Sequence, residues 1–113
     1  MQEADDELVW RALANTTRRA MLDALRAGPL TTGELVELFP ELSRFAVMQH
    51  LRVLTEGGLV LVRREGRKRY NYLNAVPIQA IHDRWVVRYM QPWVAALVDM
   101  RDELEAREQD ERA

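Results

Sequence analysis

The strongest constraint in this chain is a bracketed helix followed at once by a hairpin. Ser43 offers an N-cap oxygen, and Gly57-Gly58 supply a stop. Between them, Val47, His50, Leu51 and Leu54 recur at helical spacing on one face. Arg44, Phe45, Met48, Gln49 and Arg52 fall on the opposite face. The period then changes: Leu59 to Arg64 is rich in β-branched residues, Glu65-Gly66 is a turn signal, and Arg67 to Leu73 alternates charged or polar with aromatic and apolar residues. A helix leading directly into a two-stranded ribbon is compatible with few small folds.

The segments upstream narrow the choice. Leu8, Val9, Ala12 and Leu13 mark a short first helix over residues 6–14. Thr16 or Thr17 is placed to cap a second helix, carrying Ala20, Met21, Ala24 and Leu25 and ended by Gly28-Pro29. Thr31 or Thr32 caps a third, with Glu34 in its first turn and Leu35, Val36, Leu38 and Phe39 apolar, and Pro40 stops it. The third and bracketed helices, a few residues apart, make a helix-turn-helix, and the hairpin behind them makes it winged. From Val76 to about Arg107 the chain is helical again, and Pro92 predicts a kink or two helices meeting near Gln91. The expected fold is mainly α with a small β-hairpin, α-α-α-α-β-β-α, in one domain spanning 1–113 with a long C-terminal helix over about 76–107.

Charge is distributed unevenly. Residues 8–74 hold eleven basic against six acidic side chains, while 1–7 and 75–113 are acidic and the whole chain is −2. Phosphate contacts are local and screened beyond about 8–10 Å, so the basic middle outweighs the negative total. The absence of cysteine excludes disulfides, thiolate metal sites and cysteine nucleophiles. No apolar run approaches the roughly 20 residues of a membrane span, and the acidic start lacks a signal-peptide layout. A cytoplasmic protein with no membrane partner is expected. Ser43 and His50 are nearly two helical turns apart, and there is no glycine-rich phosphate loop, so nothing points to an enzyme.

The outer face of the bracketed helix has the composition of a major-groove reader. Arg44 suits guanine, Gln49 suits adenine, and Phe45 and Met48 suit the thymine methyl, with Arg52 further along. Ser43, at the positive end of the helix, is placed to meet a phosphate. Arg63, Arg64, Arg67, Lys68 and Arg69 make the hairpin a basic ribbon suited to phosphates or the minor groove. A lone exposed arginine or a basic run is most often only solvated. Exposed Phe45 and Met48 beside them, and a basic wing directly behind a helix-turn-helix, favour double-stranded DNA.

The stretch from Trp10 to Leu73 resembles the ArsR/SmtB family of winged helix-turn-helix repressors. The residues that carry the likeness are Ala12 to Arg19, Gly33-Glu34-Leu35, Leu42-Ser43 with Val47, His50-Leu51 and Val53-Leu54, Gly57 to Val60, and Arg63 to Arg67 with Tyr70 to Leu73. The resemblance implies a repressor that leaves DNA when an effector or metal binds, and a homodimer held by its first and last helices. Winged helices of this size generally use two-fold symmetry to match paired half-sites. The expected interface comprises Leu8, Val9 and Leu13 with Trp85, Tyr89, Trp93, Leu97 and Met100, a stripe more aromatic than one small core requires. The chain departs from many relatives in its sensing chemistry. Thr32 to Leu38 contains no thiol, and the last helix offers His82 and Asp83 with only Asp99, Asp102 and Glu103 beyond, so no metal and no cofactor is expected. His50 is read as structural. An unknown small-molecule effector, a ligand- or metal-sensing last helix, and a winged helix serving protein contact stay open as alternatives.

Overall fold

The computed structural model describes residues 2–112; Met1 of the acidic N-terminal run and Ala113 lie outside the described residues. The elements in order are α1 (Gln2–Leu13), α2 (Thr16–Ala24), β1 (Leu30–Thr31), α3 (Thr32–Leu38), α4 (Arg44–Glu56), β2 (Val60–Glu65), β3 (Lys68–Leu73), α5 (Val76–Ile81), a π-helical turn (His82–Val86) and α6 (Val87–Arg112). The mainly helical winged helix-turn-helix expected from the sequence is present, with one added strand. β1 pairs antiparallel with β3, so the wing belongs to a three-stranded sheet of order β1-β3-β2. At two residues, β1 is too short to carry a period of its own. The chain divides into two compact units, residues 1–79 and 80–113.

The core of the first unit is built from one face of each helix. Val9 and Ala12 of α1, Met21 and Leu22 of α2 and Leu25 at its end, Leu35 of α3 and Val47, Leu51 and Leu54 of α4 are buried with Leu59 and Val60. These are the inner-face positions of α4 that its period marked. On α2 the period placed Ala20 inward, but Ala20 is exposed and Leu22 is buried in its place. A Cβ on Gly57 would stand 3.0 Å from the Leu8 carbonyl oxygen, so glycine at the end of α4 permits the close approach of α1.

The caps follow the sequence with one correction. Asn15, not Thr16 or Thr17, caps α2, its Oδ1 accepting from the Arg18 N–H at 3.1 Å. Asparagine's short side chain reaches the N3 amide as well as threonine's does. Thr31 and Glu34 form a reciprocal capping box on α3, and those hydrogen bonds hold the Glu34 carboxyl below the usual carboxylate range. The hairpin turn is Gly66-Arg67, one residue later than Glu65-Gly66, because Glu65 pairs across to Lys68. Gly66 takes φ +63° and no other residue in the turn has positive φ, the pattern of a type II′ turn.

In the second unit α6 runs through Pro92 without interruption, and the irregular turn comes earlier, at His82–Val86. The expected junction near Gln91 is therefore displaced upstream. Proline forfeits one hydrogen bond to the carbonyl four residues back, which an otherwise continuous helix can accommodate. Among the described residues, no helix is long and apolar enough to cross a membrane.

Arg18 fastens α1, α2 and α4 together. Its Nε donates to the Ala12 carbonyl at 2.9 Å and its Nη2 to the Arg11 carbonyl at 2.8 Å, capping the open end of α1. Its Nη1 lies 3.3 Å from His50 Nδ1 on the inner side of α4. A guanidinium only donates, so Nδ1 accepts and His50 is held neutral with its proton on Nε2. Partial burial and then the Arg18 charge lower the His50 pKa, and burial and then Arg11 lower that of Arg18. A histidine depressed in the folded state binds its proton more readily when unfolded, so its stabilising contribution is complete above the ordinary imidazole value of about 6.5 and is lost as pH falls below it. Urea unfolding of the wild type is expected to show a larger loss of stability between pH 7.5 and 5.5 than unfolding of His50→Gln; equal losses would show that this contact does not carry the pH dependence.

Candidate nucleic-acid interface

Ser43 sets the start of α4, its Oγ accepting from the Ala46 N–H at 3.0 Å. The helix then turns Val47, Leu51 and Leu54 inward and leaves Arg44, Phe45, Met48, Gln49 and Arg52 exposed. Phe45 is 71% exposed and Met48 40%. Arg52 is tied along the helix to Glu56, Nε to Oε1 at 3.1 Å, an exposed i,i+4 pair.

The wing carries its charges in a defined register. In β2 and β3, Val60 faces Leu73, Val62 faces Asn71 and Arg64 faces Arg69 across the ladder. Directly opposed residues share a face, so Val62, Asn71, Arg64 and Arg69 lie on one side of the ribbon. Leu61 and Arg63 lie on the other side with half-buried Tyr72 and Tyr70. Arg64 and Arg69 are like charges set opposite one another, an arrangement that costs stability unless an anion lies nearby. Arg63 is partly compensated by Glu65, Nε to Oε1 at 3.8 Å.

Helix and wing share two concavities. One, of about 560 Å³, runs beside the outer face of α4, where Phe45, Met48, Gln49 and Arg52 meet Val62 and Arg69 of the wing. The other, of about 340 Å³, brings Arg44 and Met48 together with Arg67, Lys68 and Arg69 beside Thr31–Gly33. The structure thus gathers eight of the residues singled out in the sequence. Ser43, Arg63 and Arg64 line neither concavity; Ser43 caps its own helix.

Asn71 holds this arrangement from below. It is buried, and its Nδ2 donates to the Leu30 carbonyl and to Thr32 Oγ1, both at 3.2 Å. The wing is thereby tied to β1 and to the first residue of α3. The sequence reading used Asn71 only as part of a likeness and passed over Val62 and Thr55, which also line the larger concavity. Thr55 lies three residues beyond Arg52 on the same helical face, a spacing already present in the helix read as far as Glu56. Val62 and Asn71 become visible only when the strand register is known.

A profile described as a helix-turn-helix domain matches residues 13–63. The chain is 41% identical over 93 residues to the HTH-type transcriptional regulator Rv2034 of Mycobacterium tuberculosis, covering 80% of this chain and 85% of that protein. A crystal structure of an ArsR family transcriptional regulator superposes with a TM-score of 0.72 at 28% identity, covering 80% of this chain and 92% of that one. The chain belongs to the ArsR family of helix-turn-helix transcriptional regulators. The chain is also similar to the transcriptional repressor SdpR of Bacillus subtilis, 32% identical over 71 residues that cover 63% of this chain and 78% of that protein. As an ArsR-family regulator the chain is a DNA-binding protein, and α3 and α4 are its helix-turn-helix.

The residues read from the sequence as a dimer interface are divided by the structure. Trp85, Tyr89, Trp93, Leu97 and Met100 are all exposed, Trp93 at 67%, and the rings of Trp85 and Tyr89 stack with centroids 5.4 Å apart. Val9 is buried in the chain's own core and has little area left for a partner, and Leu13 is half-buried. Leu8 is exposed, and Trp10, which the periodicity argument left aside, is more exposed still. Trp10 falls off the inward stripe of α1, which the periodicity argument followed.

Replacing Asn71 by leucine keeps the number and branching of the side-chain heavy atoms but leaves the Leu30 carbonyl and the Thr32 hydroxyl without this donor. A loss of about 1–3 kcal/mol in urea unfolding is expected; an unchanged midpoint would mean that the Asn71 side chain does not hold the wing.

Proposed function

We propose that this ArsR-family regulator is a homodimeric transcriptional repressor acting in the cytoplasm, with α4 in the major groove and the wing on the phosphate backbone. The observation that carries the reading is the shared concavity: Arg44 of α4 converges with Arg67, Lys68 and Arg69 of the wing on one side of the first unit. In this reading Arg44 and Gln49 read base edges, while Arg67, Lys68, Arg69 and Arg64 bind phosphates without regard to sequence. The opposed Arg64 and Arg69 support it, since a polyanion relieves the repulsion they suffer in the free protein. Ser43 retains its hydroxyl proton for a phosphate while its oxygen caps α4. The repressor named among the relatives supports the direction of regulation.

The partner subunit is assigned to the exposed apolar residues of α6, with Leu8 and Trp10 of α1. Trp85, Tyr89, Trp93, Leu97 and Met100 form a contiguous helical stripe, and Val86, Met90, Val94 and Val98 beside it are exposed as well. Apolar area of this extent on one helix marks an interaction surface, and aromatic and methionine side chains are what interface cores favour. An effector, if one releases the protein from DNA, does so without thiolate ligands, because the chain has no cysteine.

Two kinds of substitution separate reading from anchoring. Gln49→Ala or Arg44→Ala is expected to weaken binding to the cognate operator by about 1–3 kcal/mol and to relax preference at one base position. Arg67→Ala or Lys68→Ala is expected to weaken all sequences alike and to reduce the salt slope by about one unit. Anisotropy titrations against operator and scrambled duplexes at several salt concentrations decide this, and an equal loss on both duplexes for Gln49→Ala would remove its reading role. Trp93→Glu is expected to sediment as a monomer and to lose operator binding; a variant that stays dimeric would place the interface elsewhere.

A further inference from the structure

The concavity beside α4 is too apolar for a surface that only counts phosphates. Phe45 and Met48 stand exposed between Arg44 and Gln49, on the face of α4 that a base-reading helix would present. Across the concavity Val62 of the wing is 38% exposed, and Leu51 is also part of the lining. The core does not need Phe45 or Met48, since Val47, Leu51 and Leu54 already fill the inner face of α4. Phosphates and base-edge amides would lose hydration against these side chains without gaining a hydrogen bond, which is unfavourable. The major groove displays one apolar group, the methyl on C5 of thymine. Cytosine lacks it, and 5-methylcytosine carries the same group in the same place.

We propose that Phe45 and Met48, with Val62 across the concavity, form a site for C5-methylated pyrimidines, so that the operator is recognised in part by thymine methyl groups and 5-methylcytosine is accepted where cytosine is not. The proposal rests on the reading of α4 as the base-contacting helix and adds the chemical group it selects. Hydrogen bonds from Arg44 and Gln49 fix the register on purines, and the apolar pair between them scores the C5 substituent of pyrimidines. Cytosine methylation within the operator then becomes a signal the protein registers as a gain in affinity.

The test uses the full-length protein and an operator enriched with it from a pool of random duplexes. Thymines of one half-site are replaced singly by uracil, which removes the methyl and leaves every hydrogen-bonding edge intact. At a sensitive position a C·G pair is then introduced, with and without the 5-methyl group. Burial of one methyl predicts about a three- to fivefold loss of affinity for uracil at a contacted position, and 5-methylcytosine should regain a similar factor over cytosine. Phe45→Ala and Met48→Ala change exposed positions, so folding is checked by circular dichroism and the thymine-to-uracil ratio is measured again. Collapse of that ratio toward one in either variant supports the site. Equal affinity of the wild type for thymine and uracil operators, with operator still preferred to scrambled DNA, overturns the methyl site and leaves the repressor reading intact. A uracil penalty unchanged in both variants also overturns it, because the methyl is then read elsewhere. Loss of all sequence preference in the wild type would overturn the base-reading role of α4 and the methyl site together.

Discussion

Everything on the outer side of α4 depends on that helix being gripped from behind. Three aliphatic residues bury its inner face, and the Arg18 guanidinium reaches from α2 to His50 while capping the end of α1. Because that grip uses only the inner face, the outer face is free to carry residues chosen for another purpose. A helix held only by its termini would need apolar side chains around more of its circumference, and Arg44, Gln49 and Arg52 would have less room.

The wing obeys a similar division. Its core end is fixed by buried Val60 and by Asn71, which turns two hydrogen bonds toward β1 and α3. Its tip is left polar, closed by a two-residue turn that Gly66 makes possible. The short strand β1 lets this happen, because it gives the inner edge of β3 a partner and leaves β2 at the outer edge. Helix and ribbon are thus anchored independently, and the concavities between them are defined by two fixed walls.

How much of this was legible in the sequence follows from the range of the interactions. Ser43, Gly57 and the two faces of α4 are local features, set by spacing within one helix, and the sequence placed them without help. The wing's existence was also plain, from the change of period after Gly58. What escaped were contacts between residues distant in the chain: Arg18 with His50, Asn71 with Leu30 and Thr32, and the pairing of β1 with β3. None has a periodic signature, since each depends on where separate elements meet. The choice of Asn15 over its threonine neighbours as the cap of α2 was a nearer miss, because both residue types can supply the oxygen. The helical junction was misplaced because Pro92 looked like the weakest point of the last helix, whereas the chain relaxes its hydrogen bonding at His82–Val86.

The facing arginines of the wing, Arg64 and Arg69, give dissolved salt two opposite duties. In the free protein, added ions shield the pair from each other and relax the ribbon. In the proposed complex the same ions would compete with the arginines for phosphate. The hairpin is therefore under most internal tension at low ionic strength, where its attraction for a polyanion is also greatest. In the proposed complex, neutralisation by phosphates would do locally what bulk electrolyte does everywhere, and the nucleic acid would take the place of added salt around the wing.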